Sequence, residues 1–376
     1  MKFNVQGREL LNQLTAVSKV LGSKNALSIF DDFLLVVEGD RLTITGSDQE
    51  TVLVSSLEIM DVEGEGKFRV NAKRLIEMVK EVSSQPLTFN IDPVTHHIEV
   101  SYLNGYFEFM GNDGDEYPVN PIKNEGEQVH LQIPVDVVRS GLDYTLFAVS
   151  TDTIRPIMMG ICIDVAKDSF TFVSSDTHKL VRYINSTFAP GIEARFILPA
   201  KSANILRGLL AKEDSGLINV TMDDVSATFS FERFSLATRF IKGTYPNYNR
   251  VIPQDNPYAL SVDRQTLLAA MRRVSIFASK ASSLVSVGIE PGKLRLESQD
   301  LDLSIQAKEE VTCDYNDQPM TIGFNAQYMI EVLNNIPGDG VRMEFSLPSR
   351  PGLFVPEEIG QGESLVMLQM PMQVIE

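Results

Sequence analysis

Leu42-Thr43-Ile44-Thr45-Gly46-Ser47-Asp48 has two echoes further along the chain: Phe170-Thr171-Phe172-Val173-Ser174-Ser175-Asp176 and Leu294-Arg295-Leu296-Glu297-Ser298-Gln299-Asp300. Each stretch alternates with the period of a half-buried strand and then enters a Ser/Asp turn. The closing aspartates lie 128 and 124 residues apart, so a unit of about 125 residues occurs three times.

Three further landmarks keep the same order. An amphipathic helical pattern opens each copy, over residues 7–21, 134–150 and 263–279. After the acidic turn, a strand runs into a second helix: Phe68-Arg69-Val70-Asn71-Ala72-Lys73, Phe196-Ile197-Leu198-Pro199-Ala200-Lys201 and Ile322-Gly323-Phe324-Asn325-Ala326-Gln327. Asn71, Pro199 and Asn325 stand where a helix favours an Asn cap or an early proline. Strands then resume at 87–91, 217–222 and 341–347. The pattern predicts an α+β chain of three repeated domains, each with two helices packed on antiparallel sheets. Their expected bounds are 1–122, 129–253 and 254–376, with a polar linker at 123–128 and a second boundary at Gln254-Asp255-Asn256-Pro257.

The hydrophobic and charged shares, 43% and 22%, are those of a globular protein, and no apolar run approaches the ~18 residues of a membrane span. The first residues lack the apolar core and cleavage site of a signal peptide. Cys162 and Cys313 are few and far apart, which fits a reducing compartment. These features predict a cytoplasmic protein.

A net charge of -17 argues, as an average, against a nucleic-acid partner. Its distribution argues the other way: the six expected helical stretches sum to +5 and leave -22 on the rest. A repeating wedge with its helices on one face would gather Lys73, Arg74, Lys80, Arg139, Lys201, Arg207, Lys212, Arg264, Arg272 and Arg273 there. Such cations hold phosphates without sequence preference. Charge alone leaves open that these are ordinary solvated helix faces.

Catalytic chemistry finds little support. Ser175-Asp176-Thr177-His178 holds triad-type residues, but neighbours in one turn rarely give a base placed beside its nucleophile and oriented by a third group. His96-His97 comes with no metal-binding spacing and reads as a hairpin turn. Gly64-Glu65-Gly66-Lys67 lacks the form of a phosphate loop. No enzyme activity, cofactor or metal is expected.

The chain resembles the bacterial DNA sliding clamps, the beta subunits of DNA polymerase III. The resemblance runs from Met1-Lys2-Phe3, Glu9-Leu10-Leu11 and Val17-Ser18-Lys19-Val20-Leu21-Gly22 through Thr153-Ile154-Arg155-Pro156-Ile157-Met158-Met159-Gly160 and Ser175-Asp176-Thr177-His178-Lys179-Leu180. It continues in Gly243-Thr244-Tyr245-Pro246-Asn247-Tyr248-Asn249-Arg250-Val251-Ile252-Pro253, Gly323-Phe324-Asn325-Ala326 and Met370-Pro371-Met372.

The resemblance implies a head-to-tail homodimer forming a ring around double-stranded DNA, opened by a clamp-loader ATPase and located with the nucleoid. It also implies docking of the replicative DNA polymerase and of repair polymerases, mismatch-repair factors and ligase through short linear motifs. By carry-over, Lys24, Lys73, Lys80, Arg155 and Lys201 are DNA-side residues. The implied partner pocket comprises Met158, Ser175, Thr177, His178, Lys179, Leu180, Pro246, Arg250, Val251, Leu368, Met370, Pro371 and Met372. Methionine and aliphatic walls suit peptide anchors, with Arg250 and Lys179 at a polar rim. From the residues alone, a buried last strand is the preferred reading of 365–372.

Three positions depart from the family pattern: Thr177 replaces a frequent glycine, Lys179 a frequent arginine, and Gln373 a basic residue. The tail runs on through Val374-Ile375-Glu376. Ring closure should use edge strands of the first and third domains. Tyr106-Phe107-Glu108-Phe109 is the candidate on one side, with Phe107 and Phe109 facing Ile276 and Phe277 by resemblance. Plain core is the alternative for that strand.

Overall fold

A computed structural model describes residues 1–22, 27–118, 122, 126–213 and 215–374. The repeat appears as three pairs of helices: α1 (Gly7–Ser18) and α2 (Ala72–Val82), α3 (Val135–Thr145) and α4 (Ala200–Leu210), α5 (Arg264–Ser275) and α6 (Ala326–Asn335). Their starts are set by the residues expected to set them. Asn71 accepts the Arg74 N–H at 3.1 Å, and Asn325 accepts those of Gln327 and Tyr328 at 2.9 and 3.2 Å. Asp263 caps α5 by accepting the Thr266 N–H at 2.7 Å.

The opening helix of each copy stops short of its apolar pattern. After α1 and α5 the chain tightens into i→i+3 bonds, Val20 to Val17 at 3.2 Å and Phe277 to Val274 at 3.0 Å, and α3 passes into a 3-10 turn at Leu146–Ala148. The apolar residues beyond the helix therefore lie on a tighter spiral. In α3, Gly141 lies against the face of Phe172, where a Cβ would come within 2.5 Å of the ring.

All strand pairings are antiparallel, and two compact units result. The first comprises Met1–Val135 with Lys201–Phe240, the second Asp136–Ala200 with Ile241–Glu376. In the first unit, a five-stranded sheet ends in Gly105–Met110. Its nine-stranded sheet joins first-copy to second-copy strands where Thr51–Glu58 pairs with Phe234–Arg239. In the second unit, an eight-stranded sheet joins second-copy to third-copy strands where Lys179–Asn185 pairs with Glu363–Gln369. A four-stranded sheet there ends in Ile305–Thr312. The central copy is thus divided between the two units because each large sheet runs from one copy into the next. His96 takes φ +56 in the turn before strand His97–Tyr102, a hairpin as expected.

Candidate partner-binding pocket and cationic helices

The pocket residues converge inside the second unit. Pairing of Lys179–Asn185 with Glu363–Gln369 sets Leu180 opposite Leu368 and Lys179 opposite Gln369. Leu180 and Leu368 are buried in a cluster with Cys162, Val173, Tyr245 and Ile252, against which Ile157 packs. This cluster is the floor. Beyond the strand, the Met370 N–H donates to the His178 carbonyl at 2.8 Å and the Met372 N–H to the Gly323 carbonyl at 2.7 Å. The tail is therefore held along the sheet end, with Met370 exposed and Pro371 and Met372 half-buried. Thr177, His178, Pro246, Arg250 and Val251 are also exposed, while Met158 is half-buried in the 3-10 turn Pro156–Met158.

The Ser175–Lys179 turn is held by its own side chains. Asp176 Oδ1 accepts the N–H groups of His178 and Lys179 at 2.9 and 2.8 Å. The Ser175 hydroxyl donates to the Lys179 carbonyl at 2.9 Å and accepts the Thr177 N–H at 3.1 Å. These bonds occupy the Ser175 hydroxyl and the Asp176 carboxylate in building the turn. Thr177 sits at φ +79, the left-handed region that suits glycine, so its departure from the family pattern strains the backbone.

Lys179 is not the rim cation that was expected. It is 5% exposed, with its ammonium 2.5 Å from Asp176, 3.0 Å from Glu331 and 4.5 Å from the centre of the Tyr328 ring. Burial works against its charge, yet the Asp176 and Glu331 carboxylates hold its pKa above the ordinary lysine value. The His178 ring stacks on Tyr328 at 5.6 Å. Tyr328, Glu331 and Gln369 escaped sequence reasoning because only the tertiary fold brings them to this turn. Tyr245 and Tyr248 lay within the recognised Gly243–Pro253 segment but were not singled out. Tyr248 donates to Asp164 at 3.0 Å, and burial pushes its hydroxyl pKa up to about 12.

The cations fare unevenly. Lys73, Arg74 and Lys80 are exposed on α2, Lys212 is exposed just past the end of α4, and Arg155 is exposed in a loop. Arg139 and Arg207 are half-buried. Lys201 donates to the Val20 carbonyl at 2.5 Å and pairs with Asp48. Arg272 donates to Asn334 at 2.8 Å, and Arg273 grips both oxygens of Glu309, holding that carboxyl below its usual pKa. Arg264 is tied to the Gly338 and Leu333 carbonyls. Lys24 lies outside the described residues. Over their observed bounds the six helices sum to +4, leaving -21 elsewhere, so the asymmetry survives the shorter helices.

Phe107 and Phe109 are half-buried on the end strand Gly105–Met110, whereas Ile276 and Phe277 are 73% and 36% exposed just beyond α5. No described helix is long and apolar enough to cross a membrane.

Models of the DNA polymerase III beta subunit match the chain as N-terminal domain over 1–121, central domain over 132–247 and C-terminal domain over 249–373. The beta sliding clamp of Synechocystis sp. is 26% identical over 399 residues, and that of Bacillus subtilis 25% over 386, each match covering at least 99% of both chains. Among solved structures, the Pseudomonas aeruginosa clamp bound to griselimycin aligns over 100% of both chains at TM-score 0.92 and 24% identity. The Thermotoga maritima beta subunit does so at 0.90 and 24%.

The chain belongs to the DNA polymerase III beta subunit family, with three clamp domains. Its role is that of a sliding clamp in DNA replication, a processivity subunit and not an enzyme.

Proposed function

We propose that two copies of this chain join head to tail into a cytoplasmic, nucleoid-associated ring around duplex DNA, opened by a clamp-loader ATPase. The polymerase and repair factors dock at the pocket described above. The domains of the ring are 1–122, 129–253 and 254–376. The observation that carries this reading is the repeat itself: three family domains in sequence, with positive helices on an otherwise acidic chain. Retention then follows from topology, and phosphate contacts weak enough to slide suffice. Lys73, Lys80, Arg155 and Arg272 are the main DNA-facing cations, supported by Lys24, Arg74, Arg139, Arg207 and Lys212. Lys201 and Arg273, already paired within the chain, contribute least.

The pocket takes an extended peptide whose apolar anchors rest on Leu180, Leu368 and the mobile-chained Met370 and Met372. Arg250 meets its polar or acidic groups. The test of the topology is retention: protein loaded on closed circular DNA stays through gel filtration and is lost after one double-strand cut. Equal retention on both forms would refute it.

A further inference from the structure

The apolar floor of the pocket continues past the leucines assigned to it. Leu180 and Arg182 alternate to the same face of strand Lys179–Asn185, while Val181 and Tyr183 are wholly buried on the other. On the neighbouring strand Glu363–Gln369, Leu368 stands opposite Leu180 and Val366 opposite Arg182. Val366 packs against the cluster that holds both leucines. On the other flank Val173, a member of that cluster, also stands opposite Arg182. Arg182 is therefore a cation set into an apolar floor, about 6.7 Å along the strand from Leu180.

Its guanidinium has few partners. One Nη donates to the Asn249 amide oxygen at 3.2 Å, while Nε is buried and makes no hydrogen bond. Among the described residues no carboxylate pairs with it. Other arginines of the same sheet differ, for Arg195 is paired with Asp164 and Arg342 with Glu344 at 2.9 Å. Asp164, two strands away, also accepts from Tyr248 at 3.0 Å and is fully engaged. Arg182 is half-buried, so it has given up water on its apolar flanks and recovered one neutral hydrogen bond. The chain has 50 acidic side chains against 33 basic ones, yet none is placed to neutralise it. An anion from outside the chain would complete the site. The valine walls ill suit a free hydrated ion. They suit a carboxylate carried by a chain whose apolar anchor already covers Leu180.

We propose that Arg182 receives an Asp or Glu side chain of the docked partner peptide, two residues from the apolar anchor that rests on Leu180 and Leu368. This deepens the peptide-docking reading above and rests on it. In an extended peptide, residues two apart project to one side about 6.5–7 Å apart, which matches the step from Leu180 to Arg182. Arg250, exposed at the rim, meets other polar groups of the peptide. Arg182 thereby selects among partners, because a lysine at that peptide position meets a like charge in an apolar setting and is rejected.

The full-length chain is tested by fluorescence anisotropy against short labelled peptides, amidated at the C-terminus. They share a central leucine and carry Asp, Asn or Lys at each neighbouring position in turn. Asp two residues from the leucine, on one side of it, is expected to bind about fivefold tighter than Asn, and Lys more weakly than Asn. Arg182→Gln should bring the Asp-to-Asn ratio to about unity without changing the affinity for the Asn peptide, which shows that the variant pocket is folded. Arg182→Lys should keep part of the ratio, and Arg250→Gln should leave it intact. A ratio that survives Arg182→Gln, or that vanishes in Arg250→Gln instead, overturns the assignment. So does a gain seen only when the C-terminal carboxylate of the peptide is left free. Equal binding of Asp and Asn peptides to the unsubstituted chain overturns the role of Arg182 and leaves the pocket standing. Failure of every peptide to bind overturns the pocket reading itself.

Discussion

Replacing Lys179 by Met tests whether the pocket turn depends on a buried cation. The substitution keeps most of the apolar stem and removes the charge that joins Asp176, Glu331 and the Tyr328 ring. Breaking a fully buried pair costs about 3–5 kcal/mol. Here the Glu331 side chain is 46% exposed, and Asp176 keeps two backbone donors, so about 2 kcal/mol remains. Amide exchange across 363–370, read by mass spectrometry, should quicken about 30-fold, because that strand and the Met370 N–H are tied to 178–185. The folded pKa of Lys179 is raised, so its stabilisation is complete below the unfolded value of about 10.4 and fades only as pH rises through the folded one. The deficit of the variant is therefore constant between about pH 7 and 9. A change below about threefold, or a deficit that grows steeply across that range, would refute the assignment.

Thr177→Gly should stabilise the same turn by about 1 kcal/mol, since a β-branched residue at φ +79 costs more than the added freedom of glycine, as urea denaturation would measure. Gly141→Ala should destabilise by about 1–3 kcal/mol, because the new Cβ lands on Phe172, and a lowered melting temperature checks it. Burial raises the Cys162 pKa to about 12 and also raises that of Cys313, so neither thiol should react with a disulfide reagent at pH 8 until the chain is unfolded.

The relation between sequence and structure is uneven in an instructive way. Asn71, Asn325 and the residues around them announced their helices because capping is decided within one turn of chain. The Ser175–Lys179 turn was legible as a turn, and the resemblance marked it as part of a pocket. Its inner wall was not legible: Tyr328 and Glu331 lie about 150 residues away in sequence, and no local pattern couples them to Lys179. Charge counting shared this blindness. It ranked Lys80, Lys201 and Arg273 alike, although the last two are paired with Asp48 and Glu309.

By itself the sequence determined the threefold repeat, the two helices and alternating strands of each copy, and the family, since helix and strand periodicities and caps act over a few residues. Only the tertiary structure decided that each large sheet joins one copy to the next, which cations are paired, and that Lys179 is buried. Those outcomes depend on hydrogen bonds and ion pairs between segments far apart in the chain, whose partners are chosen when whole surfaces pack and not by any residue's neighbours.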